Sequence, residues 1–146
     1  PPAFVSITDR FRGWTLVDGL GVAEGPYPKL DLPSVRWGLG EQTRILVEGI
    51  GRERELVMTC RGNGSQGQGV EVWMGDVMLA SRVFKDGKTF ETIRVPLGVV
   101  TGTHEVRIRY LGNPLVGRRD GRSLSVLYSS LVVGRPIERT PARANP

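Results

Sequence analysis

The sequence predicts an all-β fold, an antiparallel β-sandwich, and three observations lead to this prediction. Apolar and charged residues alternate along short segments, most clearly in residues 103–111, where Val106, Ile108 and Tyr110 alternate with charged side chains. Glycine, proline and aspartate separate these segments at short intervals. No segment shows helical periodicity over three turns. Alternation with a period of two is typical of strands with one buried face, and such strands pack as two sheets.

The strands are predicted in chain order from this alternation. An edge strand at residues 3–7 is followed by a long Pro/Gly-rich loop at residues 8–42. Gly75-Asp76 fits a two-residue hairpin turn. Seven strands are predicted after the loop, at residues 44–48, 55–60, 70–74, 77–84, 90–97, 103–111 and 123–133. Residues 1–134 are therefore predicted to form a single sandwich domain, and the polar segment 135–146 is predicted to be a tail or linker.

Length and composition fit one domain without covalent cross-links. The chain has 146 residues and 20 glycines, and a chain of this length can bury a core without disulfides or a structural metal. The single cysteine, Cys60, lies in an apolar segment and is predicted to be a core residue. No apolar run reaches the length of a membrane span, so we expect no membrane partner. The sequence predicts no particular compartment.

Alternation also assigns side chains to the two faces of each strand. Trp73 lies between polar neighbours and is predicted to point outward, where an indole would leave a large apolar surface in water. The inner faces are predicted to comprise Ile45, Val47, Leu56, Met58, Cys60, Val70, Val72, Met74, Ile93, Val95, Leu97, Val106, Ile108, Tyr110, Leu124 and Val126.

The sequence contains no pattern of a catalytic, nucleotide or metal site, so we expect no enzymatic activity and no cofactor. Residues 62–67 have the letters of a dinucleotide-binding glycine motif, but a strand follows them where the motif requires a helix. Zinc would need several Cys or His ligands, and the chain has one of each. A structural calcium ion stays open as an alternative, because calcium needs only oxygen ligands.

Charge and aromatic residues indicate the class of partner. The formal net charge is +5, and Arg94, Arg107 and Arg109 would form a positive stripe if their strands were adjacent. Nucleic acid is not the expected partner, because it would require several stacking aromatics among the basic residues. Tyr27 and Trp37 lie in the long loop, which suits either a glycan site or a loop that folds over a sheet edge.

Two segments carry a resemblance to a known family. Residues 102–108 (Gly-Thr-His-Glu-Val-Arg-Ile) and the closing segment 124–133 resemble the galactose-binding-like jelly-roll domains that serve as bacterial carbohydrate-binding modules. The resemblance covers residues 41–133. It implies a jelly roll that binds a glycan without cleaving it and is covalently attached to a larger bacterial glycan-active protein.

The expected ligand contacts follow from the exposed aromatic and polar residues. Trp73 and Trp37 are predicted to stack on sugar rings, and Tyr27 to contact the ligand from the loop. Glu71, Arg94, Arg107 and Arg109 are predicted to bind the hydroxyls. The alternative is a structural or interaction domain, in which Trp73 packs against a neighbouring domain or a second copy of the chain in a homo-oligomer.

Overall fold

The computed structural model describes residues 7–117 and 121–136. Two short helical segments occur in this part of the chain, α1 (Ile7–Arg10) and a 3₁₀ turn (Pro28–Leu30). The strands are β1 (Phe11–Arg12), β2 (Thr15–Asp18), β3 (Arg36–Leu39), β4 (Gln42–Gly62), β5 (Gly69–Met74), β6 (Val77–Val83), β7 (Glu91–Leu111), β8 (Leu115–Val116) and β9 (Ser123–Gly134).

The two longest strands, β4 and β7, form an antiparallel ribbon that runs through the whole molecule. Their pairing extends from Gln42 opposite Arg109 to Cys60 opposite Glu91. The alternation predicts two separate strands in place of each of these, because glycines interrupt it. The structure corrects this division: the chain stays extended through the glycine-rich segments and only bends there.

Two bulges cause the bend in the ribbon. The register shifts between Ile50 and Arg52 and again between Arg54 and Glu55. Gly51 and Gly98 adopt positive φ values of 75° and 76° at these shifts. Residues other than glycine rarely adopt this backbone conformation. Bulges of this kind increase the local twist and re-aim a strand. Each long strand therefore contributes one half to each layer of the sandwich.

The bent ribbon defines two layers. Sheet I contains β2, the first half of β4, the second half of β7, β5 and β6. Sheet II contains the first half of β7, the second half of β4 and β9, with β1, β3 and β8 paired to β9. The predicted antiparallel sandwich is confirmed, except that the short β1/β9 pair is parallel.

The core lies between the inner faces of the two sheets. The predicted inner-face residues are buried in one cluster, except Met74, Tyr110 and Leu124, which are partly exposed. β9 adds Tyr128, Leu131 and Val133 to this cluster. Cys60 is fully buried, as predicted, and burial raises the pKa of its thiol to about 12. The thiol therefore stays protonated at neutral pH and packs as a small apolar group.

The segment predicted as a long loop contains three of the strands. β1, β2 and β3 all lie within residues 8–42. Trp14 also packs against the core, and its Nε1 donates to the Leu131 carbonyl at 2.8 Å. These strands have two to four residues each, which is too short for alternation to be visible in the sequence.

The predicted ends of the domain are only partly described. Residues 3–6 of the predicted edge strand lie outside the described residues, and Ile7 begins α1 instead of ending a strand. Most of the predicted tail also lies outside them. The division into a domain at 1–134 and a tail at 135–146 stays a prediction. Neither helical segment in residues 7–117 and 121–136 has the length and apolar character needed to cross a membrane.

Three hydroxyl groups form a directional hydrogen-bond chain at one end of the core. The Thr43 hydroxyl donates to the Gly19 carbonyl at 2.7 Å. Since a hydroxyl has one proton, the Tyr110 hydroxyl must donate to Thr43 Oγ1, and the Tyr128 hydroxyl then donates to Tyr110 at 2.8 Å. Burial raises the pKa of both tyrosines above the usual value. Tyr110 is therefore the central link, and Tyr128 is the terminal donor.

This direction predicts unequal costs for two similar substitutions. Tyr110→Phe leaves the buried Tyr128 hydroxyl without an acceptor and should lower the free energy of unfolding by about 1–3 kcal/mol. Tyr128→Phe removes only the terminal donor and should cost about 0.5–1.5 kcal/mol. Urea denaturation of both variants measures the difference. A larger loss for Tyr128→Phe than for Tyr110→Phe would contradict the assigned direction.

Candidate ligand-binding surface

The outer face of sheet I brings together four of the predicted site residues. Trp73 on β5 is the register partner of Arg107 on β7, and Glu71 is the partner of Arg109. The residues between them along both strands face the core, so these four side chains point to the opposite side. We call this group, Glu71, Trp73, Arg107 and Arg109, the Trp73 platform.

Contacts on both sides fix the Trp73 side chain. Its Nε1 donates to Glu71 Oε1 at 3.2 Å. The Arg107 guanidinium carbon lies 5.8 Å from the indole ring centroid, and Arg107 Nη2 donates to the Gly75 carbonyl at 3.2 Å. The indole is half-buried and does not belong to the core cluster. A surface held in this way loses little side-chain entropy when a ligand binds.

The charges around the platform are distributed unevenly. Arg44, next to Arg107 across the sheet, forms ion pairs with Asp18 and with Glu105. The hydrogen bond from Arg44 lowers the pKa of the Asp18 carboxyl. In contrast, no carboxylate among the described residues lies within ion-pairing distance of Arg107 or Arg109. These two guanidinium groups therefore retain donors for a ligand.

Arg94 does not join Arg107 and Arg109, so the predicted stripe of three arginines is wrong. Arg94 lies in the first half of β7, on the outer face of sheet II, and forms an ion pair with Glu55 at 3.0 Å. The three arginines belong to the same strand, but the bend of the ribbon lies between them. Arg94 consequently points to the opposite side of the sandwich.

Trp37 also lies away from the platform. It belongs to β3 in sheet II, where its register partner is Leu127. The next residue, Gly38, faces the core, because a Cβ atom added there would lie 2.2 Å from the Tyr110 hydroxyl. Trp37 therefore points outward from sheet II. The two tryptophans predicted to stack on sugars are on opposite outer faces and do not form one site.

Tyr27 lies in the segment between β2 and β3. Its backbone N–H donates to the Leu32 carbonyl at 2.9 Å, and 41% of the residue is exposed. Among the described residues, no hydrogen bond or ring contact joins Tyr27 to the Trp73 platform. A role for Tyr27 in ligand binding stays a prediction.

Met78 is a neighbour of Trp73 that the sequence pattern does not predict. Met78 on β6 is the register partner of Trp73 and is 47% exposed. A register shift between Val72 and Trp73 leaves Leu79 as an extra residue in β6. This bulge places Met78 beside the indole. A bulge of a single residue gives no clear signal in a pattern of alternating residues.

Residues 7–117 and 121–136 contain no group of three or more His, Cys, Asp or Glu side chains placed to hold a metal ion. His104 Nε2 donates to the Thr101 carbonyl at 2.8 Å, which gives the sole histidine a structural contact. A structural calcium ion stays a sequence-based alternative.

Comparison with known proteins supports the fold. No protein-family model matches the chain, and no curated protein matches its sequence. A family 35 carbohydrate-binding module from an environmental isolate is 12% identical, with a TM-score of 0.53 over 83% of this chain and 87% of that chain. The family 35 module from Paenibacillus barcinonensis is 13% identical, with a TM-score of 0.48 over 85% of this chain and 94% of that one. The chain has the galactose-binding-like jelly-roll fold, as the resemblance implied.

The contacts of Trp73 generate a prediction about its indole N–H. Glu71→Ala removes the acceptor of Nε1 and should shift the Trp73 indole peak, while the peaks of Trp14 and Trp37 stay in place. The ¹H–¹⁵N correlation spectrum shows the three indole groups separately, and Trp73→Phe assigns the relevant peak. Glu53→Ala, at the exposed bend of β4, is the matched control. An unmoved Trp73 peak in Glu71→Ala would show that the hydrogen bond does not form in solution.

Proposed function

We propose that this chain is a non-catalytic carbohydrate-binding module of a larger bacterial glycan-active protein and that the Trp73 platform binds the glycan. The observation that supports the proposal most is the position of Trp73, held on an outer sheet face between Glu71 and Arg107. The fold shared with carbohydrate-binding modules fits the same class of function.

The chemistry of the platform matches that of a sugar. A pyranose ring has an apolar C–H face, which packs on an aromatic ring, and hydroxyls at its rim, which donate and accept hydrogen bonds. Trp73 supplies the ring, Arg107 and Arg109 supply donors, and Glu71 supplies an acceptor. All four side chains come from the adjacent strands β5 and β7, whose spacing of about 4.8 Å keeps them within reach of one or two sugar units.

The platform is suited to binding and not to cleavage. Glycoside hydrolysis by the common mechanisms needs two carboxyl groups on opposite sides of the scissile bond. Glu71, the carboxylate of the platform, accepts the indole N–H of Trp73, and the nearby Glu105 forms an ion pair with Arg44. A module that binds without cleaving raises the local concentration of an attached enzyme at its substrate.

A second function is favoured by the apolar residues next to the platform. Val77 and Met78 are 61% and 47% exposed on β6, which forms the edge of sheet I. Exposed apolar residues beside a tryptophan are typical of a protein–protein contact. In this second candidate, the same face packs against a neighbouring domain or a second copy of the chain.

A glycan array separates the two candidates. Wild type should bind at least one glycan, and Trp73→Ala should weaken that binding at least about fivefold, since aromatic contacts at the centre of an interface contribute more than about 1 kcal/mol. Trp37→Ala, on the opposite face, is the matched control and should bind as wild type does.

Two outcomes would contradict the proposed glycan site. Loss of binding in Trp37→Ala but not in Trp73→Ala would assign the site to sheet II. Absence of glycan binding, together with a dimer in light scattering that Trp73→Ala dissociates, would establish the interaction domain instead.

A further inference from the structure

A cleft at the edge of sheet II is lined by residues that take no part in the proposed glycan site. It measures about 550 Å³ and lies where α1, the segment before β3 and the middle of β9 meet. Ile7, Pro26 and Pro33 supply apolar walls, and Ser34, Ser129 and Ser130 complete the lining. Arg10 is the charged residue that lines the cleft.

The backbone fixes one side of the Arg10 guanidinium. Arg10 Nη1 donates to the Ser34 carbonyl at 3.0 Å and to the Ser129 carbonyl at 2.6 Å. Ser129 has no register partner on β4, because the register shifts between Thr59 and Cys60. Ser129 is therefore the extra residue of a bulge in β9, and its carbonyl accepts the hydrogen bond from Arg10. The ring of Phe11 lies 6.0 Å from the guanidinium carbon.

These contacts leave the other side of the guanidinium with its donors unused. The two protons of Nη1 are taken by the two carbonyls, and Nε and Nη2 remain as a pair of parallel donors. Such a pair matches the two oxygens of a carboxylate or sulfate. No carboxylate among the described residues lies within ion-pairing distance of Arg10. The charge of Arg10 therefore has no counter-ion within the described fold.

We propose that this cleft binds an anionic group, a carboxylate or sulfate, carried on an apolar saturated ring. The anion pairs with Nε and Nη2 of Arg10. Ser34 and Ser130 line the same cleft. In this proposal their hydroxyls contribute further donors, and the ring packs against Pro26 and Pro33. The cleft is separate from the Trp73 platform, because the platform occupies the outer face of the other sheet. This inference does not depend on glycan binding at Trp73.

Small probes of defined chemistry test the proposal. Cyclohexanecarboxylate and cyclohexyl sulfate present the two anions on a saturated ring, and cyclohexanecarboxamide is the uncharged control. For ligands of this size, a site that uses one charge and one apolar wall should give a Kd on the order of 1 mM in an NMR titration. Peaks of residues around Ser34 and Ser129 should shift, and the carboxamide should produce no comparable shift. The relative affinities of the two anions distinguish a carboxylate site from a sulfate site.

Three variants assign the binding to the cleft. Arg10→Gln should raise the Kd at least about tenfold, because it removes the charge and the paired donors. Arg52→Gln, an exposed residue at the bend of β4, changes the net charge equally and should leave the Kd unchanged. Ser34→Val keeps the backbone carbonyl that holds Arg10 but narrows the cleft, so it should weaken binding while the spectrum stays native.

Specific results would overturn the inference. Equal binding of the anions and the carboxamide, or wild-type affinity in Arg10→Gln, would show that Arg10 does not recognise the anion. Absence of binding of both anions to the wild type would show that the cleft is not an anion site. Trp73→Ala should bind the probes as wild type does, so failure of the glycan proposal and failure of this one are distinguishable.

Discussion

The continuous pairing of β4 with β7 is the constraint on which the rest of the structure depends. The ribbon supplies strands to both layers, and every other strand of sheet I and sheet II pairs with it directly or through one neighbour. Its bend at the Gly51 and Gly98 bulges brings the two halves face to face. The apolar side of each half then becomes an inner face of the sandwich. The same bend decides which side of the molecule each outward residue occupies.

The two candidate binding surfaces follow from this geometry in different ways. The Trp73 platform lies on the regular part of sheet I, where register alone places Trp73 opposite Arg107 and Glu71 opposite Arg109. The Arg10 cleft lies at an irregular edge of sheet II, where a bulge in β9 exposes a carbonyl and the short β1 and β3 meet. A regular sheet thus presents a flat surface suited to an extended ligand. An irregular edge presents a concave one suited to a small charged group.

The sequence predicts which way a side chain faces far better than which sheet it belongs to. Alternation correctly assigned Ile45, Leu56 and Val106 to the core and Trp73 to the outside, because facing is a local property with a period of two. It could not separate Arg94 from Arg107, since that separation arises from a bend between them. Glycines are equally typical of turns and of bulges, and only the long-range pairing with β7 distinguishes the two. The segment 8–42 shows the same limit, because its strands are stabilised by pairing with β4 and β9 and not by their own sequence.

The most direct test of the account is to map a bound glycan on the labelled protein. An oligosaccharide selected by its array signal is titrated into the ¹⁵N-labelled chain, and the indole and backbone peaks are followed. If the Trp73 platform binds the glycan, the peaks of the Trp73 indole and of the Arg107 and Arg109 amides should shift, and those of the Trp14 and Trp37 indoles should stay unchanged. Shifts confined to Trp37 and its neighbours on sheet II, with Trp73 unmoved, would contradict it.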